Sequence, residues 1–137
     1  MVNIKIKLIN LLDTDMMTLL GRASPEAAIL KNHIAMVLPD DLATSLVSYE
    51  EKTRGWLAVI AQAQTPQAQV LAYSRLKKHL KLYRNIAVID FDDHAATVFV
   101  RLRQARIRIG TMDLQIAAIA LANDAIVLTR NISVSRG

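Results

Sequence analysis

The chain has no cysteine. Disulfides, thiolate metal sites and a cysteine nucleophile are therefore excluded, and a reducing compartment is compatible with the composition. Aromatic residues make up only 4% of the 137 positions, against 53% hydrophobic residues overall. The core has to be aliphatic, which suits a layered α/β domain better than an aromatic-rich β-sandwich and argues against disorder. No stretch approaches the roughly 20 consecutive apolar residues of a membrane span. The opening MVNIKIKLINLL is interrupted by lysines, lacks a small-residue cleavage site and runs into an acid, so it does not fit a secretory signal. The expectation is a soluble, cytoplasmic protein with no membrane association. Glycine-rich phosphate loops of the G-x-G-x-x-G or Walker type are missing, as is any Ser-His-Asp ordering, so nucleotide-binding and esterase chemistry fall away. His33, His79 and His94 have no ligand spacing and are expected at the surface or in helix packing.

The length fits one domain, residues 1–137, with a respectable core and no repeat, linker or low-complexity tract. A first strand fits residues 4–12. Ser24 and Pro25 supply the N-cap and first residue of a helix over 25–36, which Pro39-Asp40-Asp41 breaks. A second strand over 42–48 precedes a helix through YEEKTRGWLAVIAQAQ, whose apolar positions are Trp56, Leu57, Val59 and Ile60. Trp56 reads as core or as part of a partner groove. Pro66 starts a long helix to about Tyr83. A third strand over 85–92 ends on acids, with Asp92 as N-cap of a helix that turns Ala96, Phe99, Val100 and Leu102 inward. Thr111 is the candidate N-cap of TMDLQIAAIALAND, and Asn123-Asp124 turns the chain into a fourth strand over 125–129. Strands alternating with helices predict right-handed crossovers and a three-layer α/β/α sandwich around a mostly parallel sheet.

In such sheets the functional crevice lies beyond the carboxyl ends of the strands. Asp13 follows the first strand, Glu50 and Glu51 the second, and Asn131 the fourth, while Asp113 opens the helix that feeds the fourth. Carboxylates crowded together repel one another and partly protonate unless a cation neutralises them. Acids without His or Cys make a hard-oxygen site, which selects Mg²⁺ or Mn²⁺ over Zn²⁺ and suits phosphodiester hydrolysis. Asp113 stands in an otherwise apolar helix, so it is expected to be shielded and to need a partner. Structural readings stand beside these: Asp13 ends a strand, Asp15 caps MMTLL, and Asp113 is a helix-start charge favoured by the dipole. Glu50 is expected to pair with Arg54 at i,i+4, which leaves Glu51 for the cleft. Asp90, Asp92 and Asp93 are left out of the site.

Three blocks, LLDTDMMTLL, VSYEEKTRGWLAVI and IGTMDLQIAAIALANDAIVLTRN, in that order and separation, resemble a PIN domain of the VapC toxin type. The third block is the most specific, and the likeness runs from about residue 9 to residue 131. It implies a PIN-like fold and a Mg²⁺-dependent endoribonuclease, with Mn²⁺ as the alternative ion. It further implies the toxin component of a type II toxin–antitoxin system, with an RNA substrate such as tRNA or mRNA, a cognate antitoxin partner and a homodimer.

The family's metal-binding acids map onto Asp13, Glu51 and Asp113. Glu51 rather than Glu50 has the family's distances to Ser48 and Gly55. Thr129 and Asn131 match the last motif and would position water or a metal-bound oxygen, but the acid that often follows is replaced by Val134. Asn131 offers a carbonyl oxygen without charge. The resemblance therefore implies an atypical or truncated end after Asn131, and it leaves a second expectation: a catalytically impaired PIN-fold module that retains antitoxin or RNA binding.

The net charge of +5 favours polyanionic partners. Lys77, Lys81 and Arg84 on one helix, and Arg101, Arg103, Arg106 and Arg108 on the next, read either as a grip on RNA phosphates or as solvated faces.

Overall fold

A computed structural model describes residues 9–37 and 39–129. The strands are β1 (Ile9–Leu12), β2 (Leu42–Ser45), β3 (Ala87–Ile89) and β4 (Ala125–Leu128). The helices are α1 (Thr14–Leu20), α2 (Pro25–Ala35), α3 (Leu46–Gln62), α4 (Pro66–Arg84), α5 (Asp93–Gln104) and α6 (Thr111–Ala122). The sheet order is β3-β2-β1-β4, and every pairing among the described residues is parallel. The chain steps outward from β1 through β2 to β3, then returns past β1 to place β4 on its other side. The carboxyl ends of β1 and β4 therefore mark the topological switch point, where sheets of this kind hold their crevice.

Burial on both faces explains why β1 is so apolar. Alternate strand residues point to opposite faces. Leu11 joins a core with Val47 of α3, Ala95 of α5 and Ile116 and Ile119 of α6. Leu12 enters a second core with Met17 of α1 and Tyr83 of α4. Both leucines are 0% exposed, as expected of a strand covered above and below. Val127 and Leu128 of β4 divide between the two cores in the same way. Helix α2 closes over α1 through Leu19, Ala27 and Leu30. The result is the expected α/β/α layering. Among the described residues no helix is long and apolar enough to cross a membrane.

Several helix starts follow the expected chemistry. The Ser24 hydroxyl accepts the Ala27 N–H at 3.1 Å with Pro25 in the first turn, and the Asp92 carboxylate accepts the Ala95 N–H at 2.9 Å. Asp124 turns the chain into β4 with φ of 52°, a left-handed conformation that Asp tolerates better than most residues. His79 is a packing residue: it is buried against Tyr49 and Tyr83, with its Nε2 2.8 Å from the Thr53 hydroxyl.

Other expectations are corrected. The cap of α1 is Asp13, whose carboxylate accepts the Met16 N–H at 2.9 Å, and Asp15 lies inside the first turn. Gly110, not Thr111, occupies the cap position of α6, with no side-chain hydrogen bond there. The second strand ends at Ser45 rather than running to 48, because the Ser45 hydroxyl takes the Ser48 N–H at 3.0 Å and starts α3 early. The third strand shortens to Ala87–Ile89, since Asn85 caps the end of α4 and Asp92 is already committed to α5. Val100 is 48% exposed and does not face inward, while Ala95 at 0% is the buried residue of α5. Residues 4–8 of the expected first strand lie outside the described residues.

Candidate active site

The switch point brings Asp13 and Thr129 together. Asp13 leaves β1 in extended backbone, its N–H donates to the Leu128 carbonyl at 3.2 Å, and its own carbonyl accepts the Met17 N–H at 3.0 Å. The end of β4 thus holds Asp13 by its backbone, and the Thr129 hydroxyl, one residue further on, donates to its carboxylate. Asp13 is half-buried. Burial pushes its carboxyl above the ordinary value; the Met16 N–H and the Thr129 hydroxyl pull it back, and the charges of Asp15 and Asp113 add to the rise. A carboxylate held in this way, with like charges on either side, favours a nearby cation.

Asp113 reaches the same locality from the first turn of α6, whose N-terminus lies at the carboxyl edge of the sheet. It is exposed, contrary to the shielding expected from its apolar helix. The apolar residues of α6 face the core as Leu114, Ile116, Ala118, Ile119 and Ala120, which leaves the acid on the open side.

Glu51 is half-buried on α3, and its charge is felt at Tyr83, while the acids that act on Asp13 are Asp15 and Asp113. Burial first, and then the Glu51 charge, pushes the Tyr83 phenol well above its usual range. The Tyr83 hydroxyl is buried with no hydrogen-bond partner among the described residues. Glu50 pairs with Arg54 at 2.6 Å on the surface, as expected. Asn131 and Val134 lie outside the described residues. Among the described residues, no group of three or more His, Asp or Glu side chains is placed to hold a metal ion. Asp13, Asp113 and Thr129 are brought together, and Glu51 stands on the Tyr83 side.

Four hydroxyls tie the neighbouring elements together. The Thr14 hydroxyl donates to Ser48 Oγ at 3.1 Å, Ser45 and Ser48 share a hydrogen bond at 3.2 Å, and the Thr44 hydroxyl donates to the Leu12 carbonyl at 2.8 Å. Thr44, Ser45 and Ser48 are all 0% exposed. Thr44 of β2 fastens the end of β1, and the Thr14–Ser48 bond fastens the start of α1 to α3, the helix that carries Glu51. The available signal was the Thr-Ser-x-x-Ser run at 44–48, which is N-cap spacing rather than strand alternation.

The sequence matches the family model of the PIN domain over residues 11–136. The chain belongs to the PIN domain family. Solved PIN-like structures agree with it in fold. VapBC-1 from nontypeable Haemophilus influenzae superposes with a TM-score of 0.71 at 22% identity, covering 94% of this chain and 91% of that one. A toxin–antitoxin complex from Klebsiella pneumoniae gives 0.65 at 20% identity, over 89% and 86%. VapC20 from Mycobacterium tuberculosis, a sarcin–ricin loop cleaving toxin, gives 0.55 at 17%, over 92% and 94%. None of the curated proteins matches the chain in sequence.

Proposed function

We propose that this PIN domain is a metal-dependent endoribonuclease and the toxin component of a type II toxin–antitoxin system, working in the cytoplasm. The observation that supports this most is the meeting of Asp13, Thr129 and the Asp113 charge at the β1–β4 switch point. The donor set is oxygen only, which fits Mg²⁺, with Mn²⁺ as the alternative. Mg²⁺ is commonly held by one or two carboxylates together with waters and substrate phosphate oxygens. Asp13 and Asp113 would be those carboxylates, with Glu51 as the third acid of the proposed set. When bound, such an ion supplies charge stabilisation on the phosphate and a more acidic water.

The remaining roles belong to the chain. Thr129 holds the Asp13 carboxylate in one orientation, and Thr129 and Asn131 would position the attacking water. The Thr14–Ser48 hydrogen bond ties the start of α1, which Asp13 caps, to the first turn of α3, the helix that carries Glu51. The structural relatives support the partners: one is a toxin–antitoxin complex and another a toxin named for cleaving the sarcin–ricin loop. An antitoxin, an RNA substrate such as tRNA or mRNA, and a second copy of the chain are the proposed partners.

One specific observation favours a second reading. Without a ready group of three metal-binding side chains among the described residues, the chain also suits a catalytically impaired binding module. Incubation with total RNA, with and without EDTA, separates the two. The nuclease reading expects cleavage in Mg²⁺, none in EDTA, and a loss of about a hundredfold or more in Asp113→Asn, because the ion is asked to supply several kcal/mol of transition-state stabilisation. An Asp113→Asn protein that cleaves as the native chain does removes Asp113 from the machinery.

A further inference from the structure

Four basic side chains line a cavity that none of the acids of the candidate site lines. This cavity, about 280 Å³, lies between α1, α3 and α4. Arg22, Lys52, Arg75 and Lys78 line it and no acidic side chain does. The nearest alternation of charge on α3 is spent elsewhere, since Glu50 turns to Arg54. Four like charges around one concavity repel one another, and an anion relieves them. The floor and walls are apolar and aromatic, with Met17 and Tyr83 beneath and the half-buried Trp56 at the side. The Lys52 ammonium sits 5.1 Å from the indole centroid, a cation–π arrangement that shows the ring face to be within reach of the cations.

We propose that this cavity binds one unpaired nucleotide of an RNA strand, with its base against Trp56 and its phosphate among Arg22, Lys52, Arg75 and Lys78. Base-on-indole stacking next to cations that track the backbone is how single strands are held without regard to sequence. The volume lies near the lower end of small-ligand sites, which suits a single nucleotide and not a duplex. An incoming base takes the place of the Lys52 ammonium on the ring and frees that lysine for the phosphate.

The position fits a nucleotide flanking the bond to be cut. Met17 is bonded through its N–H to the Asp13 carbonyl at 3.0 Å, Lys52 follows Glu51 in the chain, and the Tyr83 phenol feels the Glu51 charge. This placement within RNA rests on the nuclease reading; the chemistry of the cavity does not.

Trp56 is the chain's one tryptophan, so its fluorescence reports the cavity alone. The test titrates the full chain in EDTA with a short single-stranded oligoribonucleotide, and with an abasic strand of equal length. The expected result is saturable quenching by the first and not by the second. Anisotropy of a labelled oligoribonucleotide then measures the variants. Trp56→Ala should weaken binding about tenfold. The exposed pair Arg75→Gln and Lys78→Gln, which leaves the indole in place, should lower the slope of log affinity against log salt by about 0.7 per cation removed.

Equal quenching by the abasic strand, or native affinity and salt slope in the Gln pair, overturns the proposal. Quenching by an acidic peptide but not by the oligoribonucleotide also overturns it, and assigns the cavity to a protein partner. Binding with the expected signatures in a chain that cleaves no RNA in Mg²⁺ upholds the cavity and removes the nuclease reading. Cleavage without any Trp56 response does the reverse.

Discussion

Asp13 ends β1 with its backbone, caps α1 with one carboxylate oxygen and accepts the Thr129 hydroxyl. The first two tasks are structural, and an asparagine performs the cap as well as an aspartate does. The negative charge is surplus to both. Because the folded state raises the Asp13 pKa above the ordinary 3.8, the ionised form is less favourable in the folded chain than in the unfolded one. The sign follows from linkage. Below the unfolded value Asp13 is protonated in both states and costs nothing; as pH rises through the folded value the folded state is penalised, and above it the penalty is complete. Asp13→Asn should therefore melt at or above the native temperature at pH 7 in EDTA, with the difference closing as pH falls toward 4. Thermal denaturation across that range checks it, and a variant clearly less stable at pH 7 would mean that the charge serves the fold. The resemblance singled out Asp13 as a candidate metal ligand, whereas its place after an apolar strand left a strand-ending role open. Its capping role was not legible, because Asp15 offered an equally plausible cap and only backbone geometry decides between them.

At the scale of elements, the layered class and the helix starts at Ser24-Pro25 and Asp92 were legible because each is set by local chemistry. Strand ends were not. Residues 46–48 read as strand because Leu46 and Val47 are apolar, yet the Ser45 cap draws them into α3, and Val47 is buried from a helix instead. The exposure of Asp113 was also hidden, since an apolar helix says nothing about which side of its first turn stays open. The hydroxyl bonds around Ser48 yield two tests of this packing. Ser48→Ala removes the partner of Thr14 and of Ser45, and should cost about 1–3 kcal/mol in denaturant unfolding, because polar groups stay buried without their bonds. Leu11→Ala, at the centre of the sheet, should cost about 2–5 kcal/mol as a cavity-forming change. Substitutions at either position that left the unfolding midpoint unchanged would contradict this account of how β1 is anchored.

For the whole molecule, sheet order is what converts separated acids into a site. Nothing local in LLDTD or in LTRN says that they adjoin; the return of the chain past β1 puts Asp13 beside Thr129 and draws α6, with Asp113, to the same edge. The family resemblance led to an expectation of convergence for Asp13, Glu51 and Asp113; the structure places Asp13 beside Thr129 and within reach of the Asp113 charge. Glu51 is less closely joined, and the basic cavity around Trp56 was legible only as scattered cations and one tryptophan of uncertain purpose. Asp13 and Asp113 are proposed to form together the seat of a divalent ion. Calorimetric titration of the metal-free chain with Mn²⁺ tests it most directly. The account predicts saturable binding by the native chain, weakened at least about tenfold in both Asp13→Asn and Asp113→Asn, since each removes one of the carboxylates on which a hard cation depends. No heat of binding in the native chain, or native affinity in both variants, would contradict it.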